Sequence, residues 1–219
     1  SVNGTTLGEE IKNSAKWTQN IITDKSNPVF NAGSIAVLKG TLAPNSAIIK
    51  QSAATESLLI HEGRAVVFEG LEDLANRIDR DDLDVTKDDV LVLKSIGPKG
   101  GPGMPEAGLI PIPKKLAKQG VKDMVRISDG RMSGTASGTI ILHVTPESYE
   151  NGPLAIVQNG DLIKLDVPKR KIDLMISEEE IAERLLKRKK VNMRRRGYNK
   201  IYMEHVTQAD RGVDFDFLI

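Results

Sequence analysis

The sequence predicts an α/β domain whose sheet is not purely parallel, on three observations. Two apolar runs, Asp89-Val-Leu-Val-Leu-Lys94 and Met124-Val-Arg-Ile127, each read as a buried strand and feed into a glycine-rich loop. Capped, amphipathic helical stretches lie among the strand-like runs. The last third of the chain alternates short apolar runs with tight-turn residues, which argues against a wholly parallel sheet. At 219 residues the chain can bury a real core. No repeat or low-complexity linker divides it, so a single domain over 1–219 is expected, with 197–219 as a docking tail.

Bulk composition removes several function classes. The 31 basic and 30 acidic residues leave a net charge of +1, so there is no broad electrostatic case for nucleic acid or membrane. With no cysteine, disulfides, thiolate metal sites and a cysteine nucleophile are excluded within this chain. No apolar run reaches membrane-spanning length and no signal-peptide pattern is seen, so a cytoplasmic protein is expected. The sequence opens on Ser1 rather than methionine, which leaves a processed or excised piece open.

Taken in order, Thr6 and Glu9 form a capping box for a helix over Leu7–Lys16, and Trp17 is expected to pack the next segment down. Ser34–Leu38 reads as a strand and Ile48-Ile49 as a shorter one. Ser52–His61 reads as a helix with Ala53, Leu58 and Leu59 on its apolar side and Gly63 past its end. Arg64–Glu69 is a strand, and Leu71–Arg80 carries the apolar spacing of a surface helix. The aspartate-rich run Asp79–Asp89 lacks the glycine and closing glutamate of a calcium loop, and reads as a solvated connection. Ile112–Gln119 is a helix opened by proline and ended by Gly120. Gly138–Val144 is a strand. Leu154–Val157 and Leu162–Val167 flank Asn159-Gly160, a strong hairpin signal, and Lys171–Ile176 follows the turn at Pro168. Ser177 and Glu180 cap a helix of about Glu178–Lys190. Its basic end, with Arg194–Arg196, invites a nucleic-acid reading. No recognition motif accompanies it, and cations are favourable at a helix C-terminus.

Chemistry concentrates in two loops, Gly97-Pro-Lys-Gly-Gly-Pro-Gly-Met-Pro-Glu106 and Ser128-Asp-Gly-Arg-Met-Ser-Gly-Thr135. Glycine admits close backbone approach and proline fixes φ, so such loops are shaped rather than slack. Both lie at strand ends, where α/β folds keep their ligands. Glu106 is a candidate hard-metal ligand, or a carboxylate that accepts backbone N–H bonds. Ser133 lacks the Gly-x-Ser-x-Gly pattern and a triad. It serves as a base only where a metal or dense N–H donors stabilise its alkoxide. Asp129 and Arg131 read as an orienting ion pair, as substrate contacts or as turn residues. Lys99 meets an anionic substrate or stays solvated. His61, His143 and His205 lack zinc-ligand spacing. His143 reads as a satisfied core histidine, and His205 reaches a site only if the tail folds back.

The order of these stretches resembles the C-terminal domain of the dihydroxy-acid and sugar-acid dehydratase family. The residues that carry the likeness are Gly40–Asn45, His61–Phe68, Gly97–Glu106, Val125–Thr135, His143–Glu147, Gly152–Ala155 and Asp214–Leu218. The resemblance implies a mixed β-barrel flanked by helices, of the swivelling β/β/α type. It implies a hydro-lyase that converts a 2,3-dihydroxy acid to a 2-keto acid with Mg2+ and an iron–sulfur cluster. On this likeness Glu106 is a magnesium ligand, Ser133 the base and Thr135 a neighbouring hydroxyl of the catalytic site that orients the serine or meets the substrate. Lys99, Arg131 and His205 are carried as candidate substrate-binding residues. The cluster cysteines are not in this chain. A larger N-terminal domain or subunit is therefore an expected partner, the isolated chain is expected to be inactive, and the complete enzyme is expected to be a homo-oligomer.

The likeness leans towards sugar acids. Met132 stands where the branched-chain enzymes would carry phenylalanine, whereas Gly130 is shared with both branched-chain and phosphogluconate enzymes. A branched-chain dihydroxy acid, or a non-catalytic binding module, is the alternative.

Overall fold

The computed structural model describes residues 2–15, 19, 21–31, 33–188 and 196–218. The chain divides into two compact units, residues 1–32 and 33–219. In the first, helix α1 (Leu7–Ile11) starts at the expected capping box: the Thr6 hydroxyl accepts from the Glu9 N–H, and the Glu9 side chain accepts from the Thr6 N–H. It ends earlier than its pattern suggests. The expected role of Trp17 lies outside the described residues.

The second unit is built on one eight-stranded sheet. Its strands are β1 (Ala36–Leu38), β2 (Ser46–Ile49), β3 (Ile60–Phe68), β4 (Val90–Leu93), β5 (Arg126–Ser128), β6 (Ile140–Thr145), β7 (Leu162–Asp166) and β8 (Lys171–Leu174). The spatial order is β1-β2-β6-β5-β4-β3-β7-β8. The β6-β5-β4-β3 centre is parallel and both flanks are antiparallel. The sheet is mixed, as expected.

The two ends of the order nearly meet, which makes the sheet barrel-like. Lys39 bridges Lys171, and the Lys39 N–H donates to the Arg170 carbonyl. The Thr41 N–H donates to Asp173 Oδ1 at 2.8 Å, and the Leu174 N–H donates to Thr41 Oγ1 at 2.9 Å. Gly40 permits this approach, because a Cβ there would lie 2.0 Å from the Ile172 carbonyl oxygen.

Alternation sorts the apolar side chains of β3 and β4 between two cores. Val67 and Val92 join Leu38, Ile49, Ile127, Ile141, Ile163 and Leu165 in one. Val66, Phe68, Leu91 and Leu93 pack with Leu74 and Ile78 of helix α2 (Leu71–Arg77, C-cap Ile78) and with Leu116 of helix α3 (Lys114–Lys118). Helix α4 (Glu178–Lys187) opens at Ser177, which accepts from the Glu180 N–H. Its expected last residues and most of the basic run lie outside the described residues.

Three local expectations are corrected. Ser52–His61 is not an α-helix: Gln51–Ala53 and Glu56–Leu58 are single 3-10 turns, and His61 lies in β3. Pairing of Ile60–Arg64 with Leu162–Asp166 takes those residues into the sheet. Gly63 is therefore a strand residue, where a Cβ would come 2.2 Å from the Asp88 carbonyl oxygen. Pro153–Ile156 is a 3-10 turn rather than a strand, so Asn159-Gly160 does not close a hairpin. Instead Asn159 Oδ1 accepts the Val67 N–H at 2.7 Å, which extends the edge of β3. The hairpin of this region is β7–β8, around Pro168.

Closure at Gly40 gives a direct test. Gly40→Ala forces the β1–β8 seam apart and should cost about 2 kcal/mol or more of unfolding free energy, read as a lower urea midpoint. Gly160→Ala, where no atom lies within 4 Å of the added Cβ but φ is +89°, should cost only about 1 kcal/mol.

Candidate functional site

The parallel strands β4 and β5 end at the two loops singled out in the sequence. Asp129 follows β5 directly and is fully buried. Its carboxylate accepts from the Ser95 N–H at 3.2 Å, the Ile96 N–H at 3.0 Å and the Ser148 N–H at 2.8 Å. It therefore joins the ends of β4 and β6 and makes no pair with Arg131. Burial pushes the Asp129 carboxyl up from its ordinary value, and the three backbone N–H groups pull the other way.

Glu147 performs the same service one loop further on. Fully buried, it accepts from the Lys99 N–H at 2.9 Å and the Gly100 N–H at 2.9 Å. Gln208, in the C-terminal tail, grips it twice: its Nε2 donates to Glu147 Oε1 at 2.6 Å, and its Oε1 accepts the Glu147 N–H at 2.9 Å. Burial pushes the Glu147 carboxyl up as well. The tail thus docks on its own domain, with helix α5 (Tyr198–His205) burying Met203, and Val206 bridging Phe215.

Held in this way, the loops bring four of the candidate residues into two pairs. Arg131 Nη1 donates to Glu106 Oε1 at 3.0 Å, and Arg131 Nε donates to the Met104 carbonyl at 2.6 Å. Glu106 is half exposed. Two residues along from Arg131, Ser133 Oγ lies 3.0 Å from Thr135 Oγ1, and the Thr135 N–H donates to Ser133 Oγ at 3.4 Å. The Thr135 N–H therefore faces the serine oxygen, and its hydroxyl is placed to donate to that oxygen when it is deprotonated. That arrangement suits an oxygen that carries negative charge.

Lys99 and His205 lie elsewhere, along a cleft of about 390 Å3 that is also lined by Asn45, Glu150 and Gln208. The Lys99 ammonium pairs with Glu150 at 2.5 Å, and His205 Nδ1 lies 2.9 Å from Asp216 Oδ1. His143 sits in β6 with a left-handed φ of +53°. Its buried Nδ1 has no partner among the described residues, so the satisfied-core reading does not hold for that atom. Burial, then the Arg131 charge, push this imidazole down from its ordinary value.

The donor set is informative about metals. No group of three His, Cys, Asp or Glu side chains suited to a metal ion occurs among the described residues. Glu106 offers one oxygen-bearing group, already shared with a guanidinium. These residues do not by themselves fit a complete magnesium site. A chain without cysteine also has no thiolate for an iron–sulfur cluster. Glu147, Gln208 and Asp129's true role escaped the sequence reading; Pro146-Glu147-Ser148 shows only a turn signal.

Residues 20–213 match the family described as Dihydroxy-acid/6-phosphogluconate dehydratase C-terminal. The chain belongs to this family. It is 47% identical over 219 residues to an L-arabinonate dehydratase of Rhizobium leguminosarum bv. trifolii, covering 100% of this chain and 38% of the relative. To a 6-deoxy-6-sulfo-D-gluconate dehydratase of Pseudomonas putida it is 45% identical over 209 residues, 92% of the chain and 36% of the relative. A dihydroxy-acid dehydratase of Carboxydothermus hydrogenoformans is 41% identical over 217 residues, 98% and 38% of the two lengths. The chain thus spans less than two fifths of the length of these curated relatives. No helix among the described residues is long and apolar enough to cross a membrane.

The buried carboxylate of this dehydratase-family domain can be tested without any activity. Asp129→Ala strands three backbone N–H groups, each worth about 1–3 kcal/mol when unpaired and buried. The expected loss of unfolding free energy is at least ~3 kcal/mol by denaturant titration. A loss below ~1 kcal/mol would show that the loops do not depend on Asp129.

Proposed function

We propose that this domain forms the C-terminal part of a hydro-lyase that converts a sugar-derived 2,3-dihydroxy acid to its 2-keto-3-deoxy acid. The observation that carries the proposal is the Ser133–Thr135 hydroxyl pair on the same loop as Arg131, which pairs with Glu106. It occurs in a chain similar to enzymes named for arabinonate and sulfogluconate.

In this reading Ser133 Oγ, as the alkoxide, takes the proton from C2. The C2–H electrons form the C2=C3 double bond as the C3–O bond breaks, and the departing hydroxide takes up the proton that Ser133 gained, which gives water and restores the alkoxide. The enol then loses its O–H proton and gains one at C3, which gives the 2-keto acid. Thr135 holds the negative charge on Ser133 through its N–H and O–H. Arg131, two residues from Ser133, meets the anionic part of the substrate, while Lys99 and His205, in a separate cleft and paired with Glu150 and Asp216, are left without a role in this reading. Glu106 would supply one oxygen ligand to Mg2+, and the remaining ligands, with all of the cluster's, would have to come from the larger portion that the relatives carry. Bound there, such groups would supply the Lewis acidity that hydroxide departure needs, and the isolated chain is expected not to turn over.

The runner-up substrate is a branched-chain dihydroxy acid, favoured by the 41% identity to a dihydroxy-acid dehydratase. A polyhydroxylated substrate needs donors and acceptors along its distal carbons, and a branched alkyl tail needs an apolar wall.

The test is the assembled enzyme assayed on a panel of aldonic acids beside 2,3-dihydroxyisovalerate. Turnover of an aldonic acid with higher kcat/KM supports the sugar-acid reading; preference for dihydroxyisovalerate replaces it with the branched-chain one. Ser133→Ala should lower kcat by about 10²–10⁴-fold, the usual contribution of a positioned base. Folding and metal content should be retained, and an unchanged rate removes Ser133 as the base.

A further inference from the structure

The turn that carries Ser133 lies against a segment to which the dehydratase reading gives no role. Lys50 leaves β2 directly, and β2 is fixed by pairing Ile49 with Ile141 of β6. From there residues 50–55 run alongside 134–139. The Gly138 N–H donates to the Ala53 carbonyl at 2.8 Å, and the Thr55 N–H donates to Thr139 Oγ1 at 3.1 Å. Asp123 Oδ2 fastens both threonines, at 2.7 Å from each hydroxyl. At the open end of this bed, the Lys50 ammonium donates to the Gly134 carbonyl oxygen at 2.8 Å.

That carbonyl belongs to the same peptide group as the Thr135 N–H, which points at Ser133 Oγ. In a trans peptide C=O and N–H point in opposite directions. A cation on the oxygen therefore orients the N–H towards the serine. It also draws electron density from the amide, which makes the N–H a stronger donor.

We propose that Lys50 is a positioning residue for the dehydration, acting on Ser133 through the Gly134–Thr135 peptide. The ammonium sits at one end of the peptide dipole and the base oxygen at the other. As negative charge develops on Ser133 Oγ, the long N–H contact becomes a charge-assisted bond, and the lysine charge increases its strength. Neutral side chains can hold the carbonyl but cannot polarise the group in this way. The proposal rests on the reading of Ser133 as the base.

The experiment compares wild type, Ser133→Ala, Lys50→Arg, Lys50→Gln and Lys50→Met in the assembled enzyme on its best aldonic acid. Removing a direct donor to a developing oxyanion costs about 10²–10³-fold in kcat. Lys50 acts one peptide away, so Lys50→Met and Lys50→Gln should lower kcat by roughly 10–100-fold with KM within about 2-fold. Lys50→Arg restores a cation to the carbonyl and should stay within about 5-fold of wild-type kcat.

Thermal midpoints separate this from a packing role. Lys50→Gln, which retains a donor, should melt with the wild type while losing kcat, and it decides the question if Lys50→Met does not fold. Wild-type kcat in Lys50→Gln, a loss confined to KM, or a loss in Lys50→Arg as large as in Lys50→Met would each overturn the proposal. If Ser133→Ala is as active as wild type, the base assignment falls and takes the role of Lys50 with it. If Ser133→Ala is inactive while Lys50→Gln is unimpaired, the base stands and Lys50 is excluded.

Discussion

The architecture of the candidate site depends on carboxylates used in place of strand partners. Beyond the ends of β4, β5 and β6 the backbone leaves the sheet, and its N–H groups lose their ladder acceptors. Asp129 and Glu147 supply acceptors from positions with no accessible surface. Taking a carboxylate out of water is expensive, and charge-assisted N–H bonds to several donors offset that cost only if the geometry is kept. The loops are accordingly shaped to the carboxylates. A Cβ at Gly97 would lie 2.7 Å from Glu147 Oε2, so the glycine admits the acid that holds its own loop. Because Glu147 is also gripped by Gln208, the C-terminal tail is tied into the same arrangement.

Much of the sheet was legible because alternation and apolar runs are local properties. Val90–Leu93 and Ile140–Thr145 are strands whose residues announce them. The misread segments are those whose conformation is decided by a distant partner. Ser52–His61 has enough helical spacing to read as a helix, yet Ile60 and His61 belong to β3, to which β7 offers a full antiparallel register. Asn159-Gly160 carries the turn chemistry of a hairpin. Its asparagine side chain, however, is taken by the Val67 N–H 92 residues away. Local propensity is worth tenths of a kcal/mol per residue, and tertiary pairing routinely overrides it.

The site divides along the same line. Glu106, Arg131, Ser133 and Thr135 were visible because glycine and proline mark shaped loops, and because the order of the motifs resembles one family. Their supports were not. Lys50 reaches Gly134 across 84 residues, and Glu147 reaches Gly100 across 47. Nothing in a lysine after a short strand, or in a glutamate after a proline, says which backbone group it will meet. Asp129 reads from the sequence as an ion-pair partner of Arg131, a substrate contact or a turn residue, and local pattern does not choose among them. Burial sends the aspartate inward, while Arg131 remains half exposed beside Glu106.

If Ser133 is the base, as proposed, these supports prepare it for proton transfer without a histidine partner among the described residues. A hydroxyl's ordinary pKa is far above neutrality, so its conjugate base must be stabilised by donors that are already in place. The turn at Ser133 provides two from one residue, and Lys50 adds charge behind the peptide that bears one of them. Departure of a hydroxide demands something different, a strong Lewis or Brønsted acid close to C3. The described residues assemble no cluster of metal-binding side chains for it, and the chain has no cysteine. On the proposed function, the Ser133 turn would be this domain's share of the chemistry, and the acid that removes the hydroxyl would come from outside the described residues.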